Sequence, residues 1–184
     1  MKSLYLIIIV FLISTVSPSV YAANNNKDNW NLIGTIGAFS LTATALGLPA
    51  YRDDWDGVRQ SAYSIGVALG VTTVLKEVVH EERPDNSDNK SFPSGHTTNA
   101  FASATTLYRR YGWQTGIPAF AVATFVGGTR LAAKKHYFHD VLAGALIGTV
   151  SGWYFTNPIN DKVQLNPWID SKGKGGGVKL TLKW

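Results

Sequence analysis

Residues 93–111 read PSGHTTNAFASATTLYRRY and contain one of the chain's apolar segments. Gly95 lets the backbone approach a ligand closely, and the first turn of a helix offers free N–H groups at the positive end of its dipole. The part from Thr97 to Tyr111 is apolar enough for a helix, and its Ala and Thr content suits close contact between helices. We therefore predict a packed helix whose first turn forms a phosphate cradle, with His96 placed as a general acid. The alternative is an ordinary helix cap followed by an exposed histidine.

Four further segments have the same character, and strand-like alternation is missing from this part of the chain. They are Trp30–Ala50, Ser61–Val79, Trp113–Ala133 and Phe138–Thr156. Short polar breaks separate the segments. We predict an all-α fold, an antiparallel bundle of about five helices spanning 23–156, with the site where three loops meet at one end. The tail, 157–184, contains a glycine run and then alternating apolar residues, which predicts a loop followed by a short strand or hairpin.

The N-terminus indicates export from a bacterial cytoplasm. Lys2 precedes an apolar run from Leu4 to Val16, and Val20-Tyr21-Ala22 resembles a cleavage site. We predict a signal peptide over 1–22, the alternative being an uncleaved first membrane helix. The chain has no cysteine, which excludes disulfides and thiolate metal sites.

The net charge of +5 does not point to nucleic acid, because the cations are scattered along the chain and no nucleic-acid-binding module accompanies them. Membrane association is favoured over a soluble periplasmic enzyme, although the apolar segments reach the roughly 20 residues of a spanning helix only by including charged ends.

Two cations stand near the end of the second segment. Lys76 and Arg83 are seven residues apart, so on a continuous helix they share a face and could bind a dianion, with Pro84 ending the helix. The alternative is a snorkelling lysine and a surface arginine.

A third cluster follows the fourth segment. His136 and Asp140 have the spacing of neighbours on a helix, so the carboxylate could fix the tautomer of the imidazole and leave its other nitrogen as a nucleophile. Thr129 and Arg130 lie shortly before them. The alternative is a salt bridge at a helix start.

Together these clusters resemble the type 2 phosphatidic acid phosphatase superfamily, which includes bacterial non-specific acid phosphatases and vanadium haloperoxidases. The matching residues keep the family's internal spacings: Lys76, Arg83-Pro84, Pro93-Ser94-Gly95-His96, Arg130, His136 and Asp140. Thr129 departs from the family's usual serine but keeps a hydroxyl donor. The resemblance covers about Ser61 to Phe155, and the short gap between the first two motifs looks like the compact lipid-phosphatase branch.

The resemblance implies a phosphoric ester hydrolase with specific roles for these residues. His136 would attack phosphorus and form a phosphohistidine, Asp140 would orient it, and His96 would protonate the leaving group and then activate water. The non-bridging oxygens would be held by Lys76, Arg83, Arg130, Ser94 and Gly95. Three cations would take the place of a magnesium clamp, so no metal or other cofactor is expected.

The expected substrate is a phosphorylated lipid of the cell envelope, processed on the periplasmic side. A soluble acid phosphatase of broad specificity, a lipid phosphotransferase and a catalytically inactive anion-binding protein remain alternatives. Vanadate-dependent halide oxidation in the same pocket and a zinc site formed by His96, His136, His139 and Asp140 are less favoured. The head group and oligomeric state are not predicted.

Overall fold

The computed structural model describes residues 26–159, 163–169 and 175–182. The predicted signal peptide lies outside these residues. The described chain forms five helices and two strands, namely α1 (Asn26–Tyr51), α2 (Trp55–Val78), α3 (Gly95–Tyr111), α4 (Trp113–Ala132), α5 (Phe138–Phe155), β1 (Val163–Ile169) and β2 (Gly176–Leu182). The predicted all-α bundle is confirmed.

Helix α2 begins earlier than its apolar pattern indicates. Asp54 is its N-cap residue, and the side chain accepts a hydrogen bond from the amide of Gly57 at 3.0 Å. A capped helix can begin in polar sequence, because the cap satisfies an amide that has no partner within the helix.

Helix α3 is the centre of the bundle and contacts the other four helices. Helix α5 approaches it most closely through three glycines spaced by one turn. A Cβ atom at Gly144 would lie 2.6 Å from the carbonyl oxygen of Ser94, and one at Gly148 would lie 2.4 Å from that of Thr98. Gly152 continues this contact against Thr105. Backbone contact at this distance places the start of α5 beside the start of α3.

The bundle has small side chains inside and large apolar ones outside. Its buried side chains are mainly alanine, serine and threonine. Exposed apolar residues recur at intervals of one or two helical turns on four helices, including Leu32, Ile36 and Phe39 on α1, Val67, Val71 and Val74 on α2, Ile117 and Phe125 on α4, and Leu142, Leu146 and Val150 on α5. Helix α1 is also long and apolar enough to cross a membrane by length and composition.

A buried ion pair closes the end of the bundle opposite the start of α3. Arg110, near the C-terminus of α3, donates through Nε to Asp54 Oδ2 at 2.7 Å and pairs through Nη2 with Asp54 Oδ1. The hydroxyl of Tyr111 donates to the same carboxylate at 2.8 Å, and Arg110 Nη1 donates to the carbonyl of Asn157 at 2.9 Å. The side chains of Asp54 and Arg110 are only 7% and 2% exposed.

We expect Asp54→Ala to destabilise the protein by about 3–5 kcal/mol, because it leaves a buried guanidinium without its counter-ion and removes a helix cap. Unfolding of the purified protein by heat or denaturant measures the loss. Asp56→Ala is the matched control, since its partner Arg59 is exposed and such pairs contribute about 0–1 kcal/mol. Equal losses in the two variants would contradict this role for Asp54.

The tail contains a hairpin rather than a single strand. Strands β1 and β2 pair antiparallel, with Val163 opposite Leu182 and Ile169 opposite Gly176.

Candidate active site

A folded loop brings Lys76 and Arg83 together. The expectation that Lys76 and Arg83 share one helix is wrong, because α2 ends at Val78. The chain then turns back, and the amide of Ser91 donates to the carbonyl of Glu81 at 2.9 Å. Lys76 Nζ and Arg83 Nη2 consequently both donate to the carbonyl of Lys90, at 2.6 and 3.3 Å. The two cations meet at a loop instead of along a helix face.

His136 precedes α5 and does not lie on it, so the predicted pairing along one helix is also wrong. The helix begins at Phe138, and Asp140 lies in its first turn. The two side chains are nevertheless adjacent, with His136 Nδ1 at 3.5 Å from Asp140 Oδ2. On its other side, His136 Nε2 lies 3.5 Å from Arg83 Nη1. One imidazole nitrogen therefore faces a carboxylate and the other faces the cations.

Asp140 is fully buried and connects the elements that meet at the site. Its Oδ2 accepts from the hydroxyl of Ser91 at 2.5 Å and from the amide of Tyr137 at 2.9 Å. Its backbone carbonyl accepts from the amide of Ser94 at 3.1 Å. The carboxylate is thus fixed between the loop before α3 and the start of α5, where it can hold the orientation of His136.

Arg130 comes from the last turn of α4 and is 2% exposed. Its Nη1 donates to the carbonyl of Asn31 at 3.4 Å, while its Nε is buried without a hydrogen-bond partner. A buried donor without a partner is costly, and an anion bound beside Arg130 would satisfy it.

His96 lies in the first turn of α3 and faces α1. Its Nε2 is 3.0 Å from Thr35 Oγ1, and the Thr35 hydroxyl donates to the carbonyl of Asn31 at 2.9 Å. Arg83, Arg130 and His136 lie close enough to His96 to act on it electrostatically. The structure thus brings together at one end of the bundle His96, His136, Asp140, Lys76, Arg83 and Arg130.

Two predicted hydroxyl donors are engaged within the protein. The Thr129 hydroxyl donates to the carbonyl of Val126 at 2.6 Å. Ser94 Oγ lies 2.9 Å from Thr97 Oγ1. Gly95 opens α3, where first-turn amides have no acceptor within the helix and can face an anion.

A group that could hold a cation also touches the site. The side chains of Glu81, His139 and Asp140 offer ligand atoms within 4.8 Å of one another. His139 Nε2 lies 2.7 Å from Glu81 Oε1 and 3.1 Å from Asp140 Oδ1. A hydrogen bond from the imidazole N–H to Glu81 accounts for the contact between His139 and Glu81 without a metal. The group differs from the zinc set considered from sequence.

The surroundings of His136 favour its neutral form. Burial lowers its pKa below the ordinary 6.5, the neighbouring Asp140 carboxylate opposes this, and the charges of Arg83, Lys76 and Arg130 lower the pKa further. A neutral imidazole beside three cations can attack an electrophile bound as an anion.

Sequence reasoning missed four residues that contact the site: Asn31, Thr35, Glu81 and Ser91. Glu81 lies inside the first motif and Ser91 just before the second, but serine and glutamate in a polar loop carry no signal of their own. Asn31 and Thr35 belong to α1, far from the motifs in the sequence, and only tertiary packing brings them to His96 and Arg130.

Comparison with known proteins places the motif residues, from Lys76 to Asp140, within a recognised family region. Residues 57–163 match the model of the PAP2 superfamily. The lipid A 1-phosphatase of Porphyromonas gingivalis is 36% identical over 117 residues, which cover 61% of this chain and 26% of that enzyme. The chain therefore matches about a quarter of that relative's length.

One further relative and one solved structure are matched over more of their own length. The lipid A 4'-phosphatase of Helicobacter pylori is 31% identical over 146 residues, which cover 71% of this chain and 74% of that enzyme. The crystal structure of Aquifex aeolicus LpxE superposes with a TM-score of 0.61 at 23% identity, covering 75% of this chain and 90% of that one. The latter likeness concerns the fold alone.

Proposed function

This chain belongs to the PAP2 superfamily, and on that premise we propose that it hydrolyses a phosphate ester or diphosphate of a membrane lipid through a phosphohistidine on His136. The observation that carries the proposal is the position of His136 Nε2, which lies 3.5 Å from the Arg83 guanidinium while Nδ1 faces Asp140. An attacking nitrogen directed into a phosphate-binding cluster is the arrangement that phosphoryl transfer requires.

The proposed reaction has two steps. His136 Nε2 forms a bond to phosphorus as the bond to the leaving oxygen breaks, and His96 gives that oxygen a proton. Water then attacks phosphorus, His96 takes a proton from the water, and the bond to His136 breaks with release of inorganic phosphate. Lys76, Arg83 and Arg130 stabilise the charge on the non-bridging oxygens in both steps.

The proposed substrate is a lipid because the outside of the bundle matches a bilayer. The exposed apolar side chains lie between two groups of exposed aromatic residues. Trp30, Tyr137 and Phe138 lie at the active-site end, and Tyr51, Trp55, Trp113, Trp153 and Tyr154 lie at the other. Fifteen residues of helix separate Phe138 from Trp153, which is roughly 23 Å of axial rise, or about three-quarters of the roughly 30 Å thickness of a hydrocarbon core. Aromatic side chains favour both membrane interfaces.

We place the active site at the periplasmic face of the inner membrane. Exported lipid phosphates are accessible there, and the two relatives named as lipid A phosphatases suggest a lipid A phosphate as one substrate to test. Release of the protein by osmotic shock without detergent would instead indicate a soluble periplasmic enzyme.

A substrate panel tests this function. Wild type and His136→Ala are purified in mild detergent, and phosphate release is measured with a chelator present. The panel contains phosphatidic acid, phosphatidylglycerophosphate, polyprenyl diphosphate, lipid A and a small soluble phosphate ester. We expect chelator-resistant, His136-dependent release from a lipid. Equal release from the soluble ester would move the function to a broad acid phosphatase, and loss of activity in chelator would contradict metal-free chemistry.

The pH profile follows from the lowered pKa of His136. Only neutral imidazole attacks, so activity falls with decreasing pH only when His136 becomes protonated, and we expect the acid limb of kcat/KM below pH 6.5. In Lys76→Met the limb should move to higher pH, because a cation that disfavours the imidazolium has been removed. An ionisation of the substrate would give a limb at the same pH in both proteins, and that result would contradict the assignment.

A further inference from the structure

Helix α1 lies outside the matched family region and makes a polar contact with His96, the proposed general acid. Thr35 Oγ1 lies 3.0 Å from His96 Nε2, while residues 57–163 are those that match the family. Close packing against α4 fixes the position of α1 next to Thr35. A Cβ atom at Gly34 would lie 2.1 Å from Thr129 Oγ1, and one at Gly37 would lie 2.8 Å from Val126. Thr35 therefore stands on an element packed tightly against α4.

The donor and acceptor roles at this contact follow from the hydroxyl's single proton. Thr35 Oγ1 donates that proton to the carbonyl of Asn31 at 2.9 Å. With that proton on the Asn31 carbonyl, the oxygen accepts, and this arrangement assigns the N–H to His96 Nε2. The Nδ1 atom of His96 is the ring nitrogen that remains to exchange a proton with substrate.

From this geometry we infer that Thr35 is a positioning residue for His96, holding Nε2–H so that Nδ1 is the atom that protonates the leaving oxygen and later takes a proton from water. The inference rests on the proposed function. Thr35 keeps its acceptor contact whether His96 is neutral or protonated, because Nε2 carries a proton in both states. The contact also favours the protonated ring, since it accepts from a positively charged donor.

If Thr35 positions His96, the effect of replacing Thr35 on kcat/KM should depend on how much the leaving group needs a proton. An alkoxide needs a proton as it departs, whereas 4-nitrophenolate is a good leaving group without one. We expect Thr35→Val to lower kcat/KM for dodecyl phosphate about 10- to 100-fold while changing that for 4-nitrophenyl phosphate less than about threefold. Thr35→Ser, which keeps the hydroxyl, should restore dodecyl phosphate turnover to within about threefold of wild type.

A second readout is the high-pH limb of the kcat/KM profile for dodecyl phosphate, where activity falls as His96 loses its proton. Loss of the acceptor should move this limb to lower pH in Thr35→Val, because His96 loses its proton more readily. The charged and titratable groups that face His96 from neighbouring elements are Arg130, His136, Arg83 and Lys76, and all are unchanged in this variant.

Thr44→Val is the matched control. Thr44 lies on the same helix, and its hydroxyl makes the same kind of bond, to the carbonyl of Ser40 at 2.8 Å. We expect its kinetics to stay within about twofold of wild type for both substrates. Equal losses of both substrates in Thr35→Val, or no loss with dodecyl phosphate, would overturn the role of Thr35. Retained turnover in His136→Ala would instead overturn the proposed function, so the two failures are distinguishable.

Discussion

Replacing His136 with alanine is expected to lower kcat by at least about 10⁴-fold, with phosphate release falling to the background rate. The substitution removes the atom that forms the bond to phosphorus, and removal of a nucleophile from other covalent enzymes has effects of this size or larger. Water cannot replace His136 as the nucleophile at a comparable rate. The contacts with Arg83 and Asp140 orient the imidazole, and they do not position a water molecule for attack. Phosphate release from the preferred lipid measures the effect.

The control for this substitution is His80→Ala, since His80 is exposed and lies between Lys76 and Arg83 in the sequence. Its turnover should remain within about twofold of wild type. Both variants should unfold at similar temperatures, which separates a chemical loss from a structural one. Comparable activity in His136→Ala and wild type would contradict nucleophilic catalysis by this residue.

Substituting Arg130 is expected to have the next largest effect. Arg130→Lys should lower kcat/KM about 10²- to 10³-fold, although it retains the positive charge. The guanidinium can give two parallel hydrogen bonds to a phosphate, and its buried Nε has no partner until an anion binds. A lysine ammonium at the same position is a point charge on a shorter reach, so it supports fewer bonds in the transition state.

Arg109→Lys is the matched control for Arg130→Lys. Arg109 lies at the other end of the bundle, where it donates to the carbonyl of Thr156 at 3.2 Å and covers the ring of Trp153. This variant should lose less than about twofold in kcat/KM. If Arg130→Lys were as active as Arg109→Lys, the role of Arg130 in holding phosphate would be wrong.

Hydrophobic segments and motif spacing were enough to predict the helical bundle and the residues that meet at its end. The bundle could be predicted because each segment is bounded by polar breaks and is long enough for a helix. The local contact of Thr129 was not predictable. It keeps the hydroxyl donor of the family's usual serine, and in the structure that hydroxyl donates to the carbonyl of Val126 at 2.6 Å.

Local sequence rules failed where tertiary contacts decide the backbone. Pro84 is a sound stop signal for a helix, yet α2 ends at Val78 because the following loop folds back and pairs Glu81 with Ser91. Thr35 illustrates a second limit. A threonine on a long apolar helix is unremarkable in sequence, and its contact with His96 exists only once α1 packs across α3 and α4.

Detection of the phosphoenzyme tests directly whether His136 accepts the phosphoryl group. His96→Ala is mixed with 4-nitrophenyl phosphate, whose leaving group departs without a proton, and the protein is analysed by mass spectrometry after proteolysis under alkaline conditions that preserve phosphohistidine. Because this variant lacks the base that activates water, we expect phosphate to accumulate on His136 and to be absent from His136→Ala. Phosphate on another residue, or full turnover without a labelled His136, would contradict the mechanism.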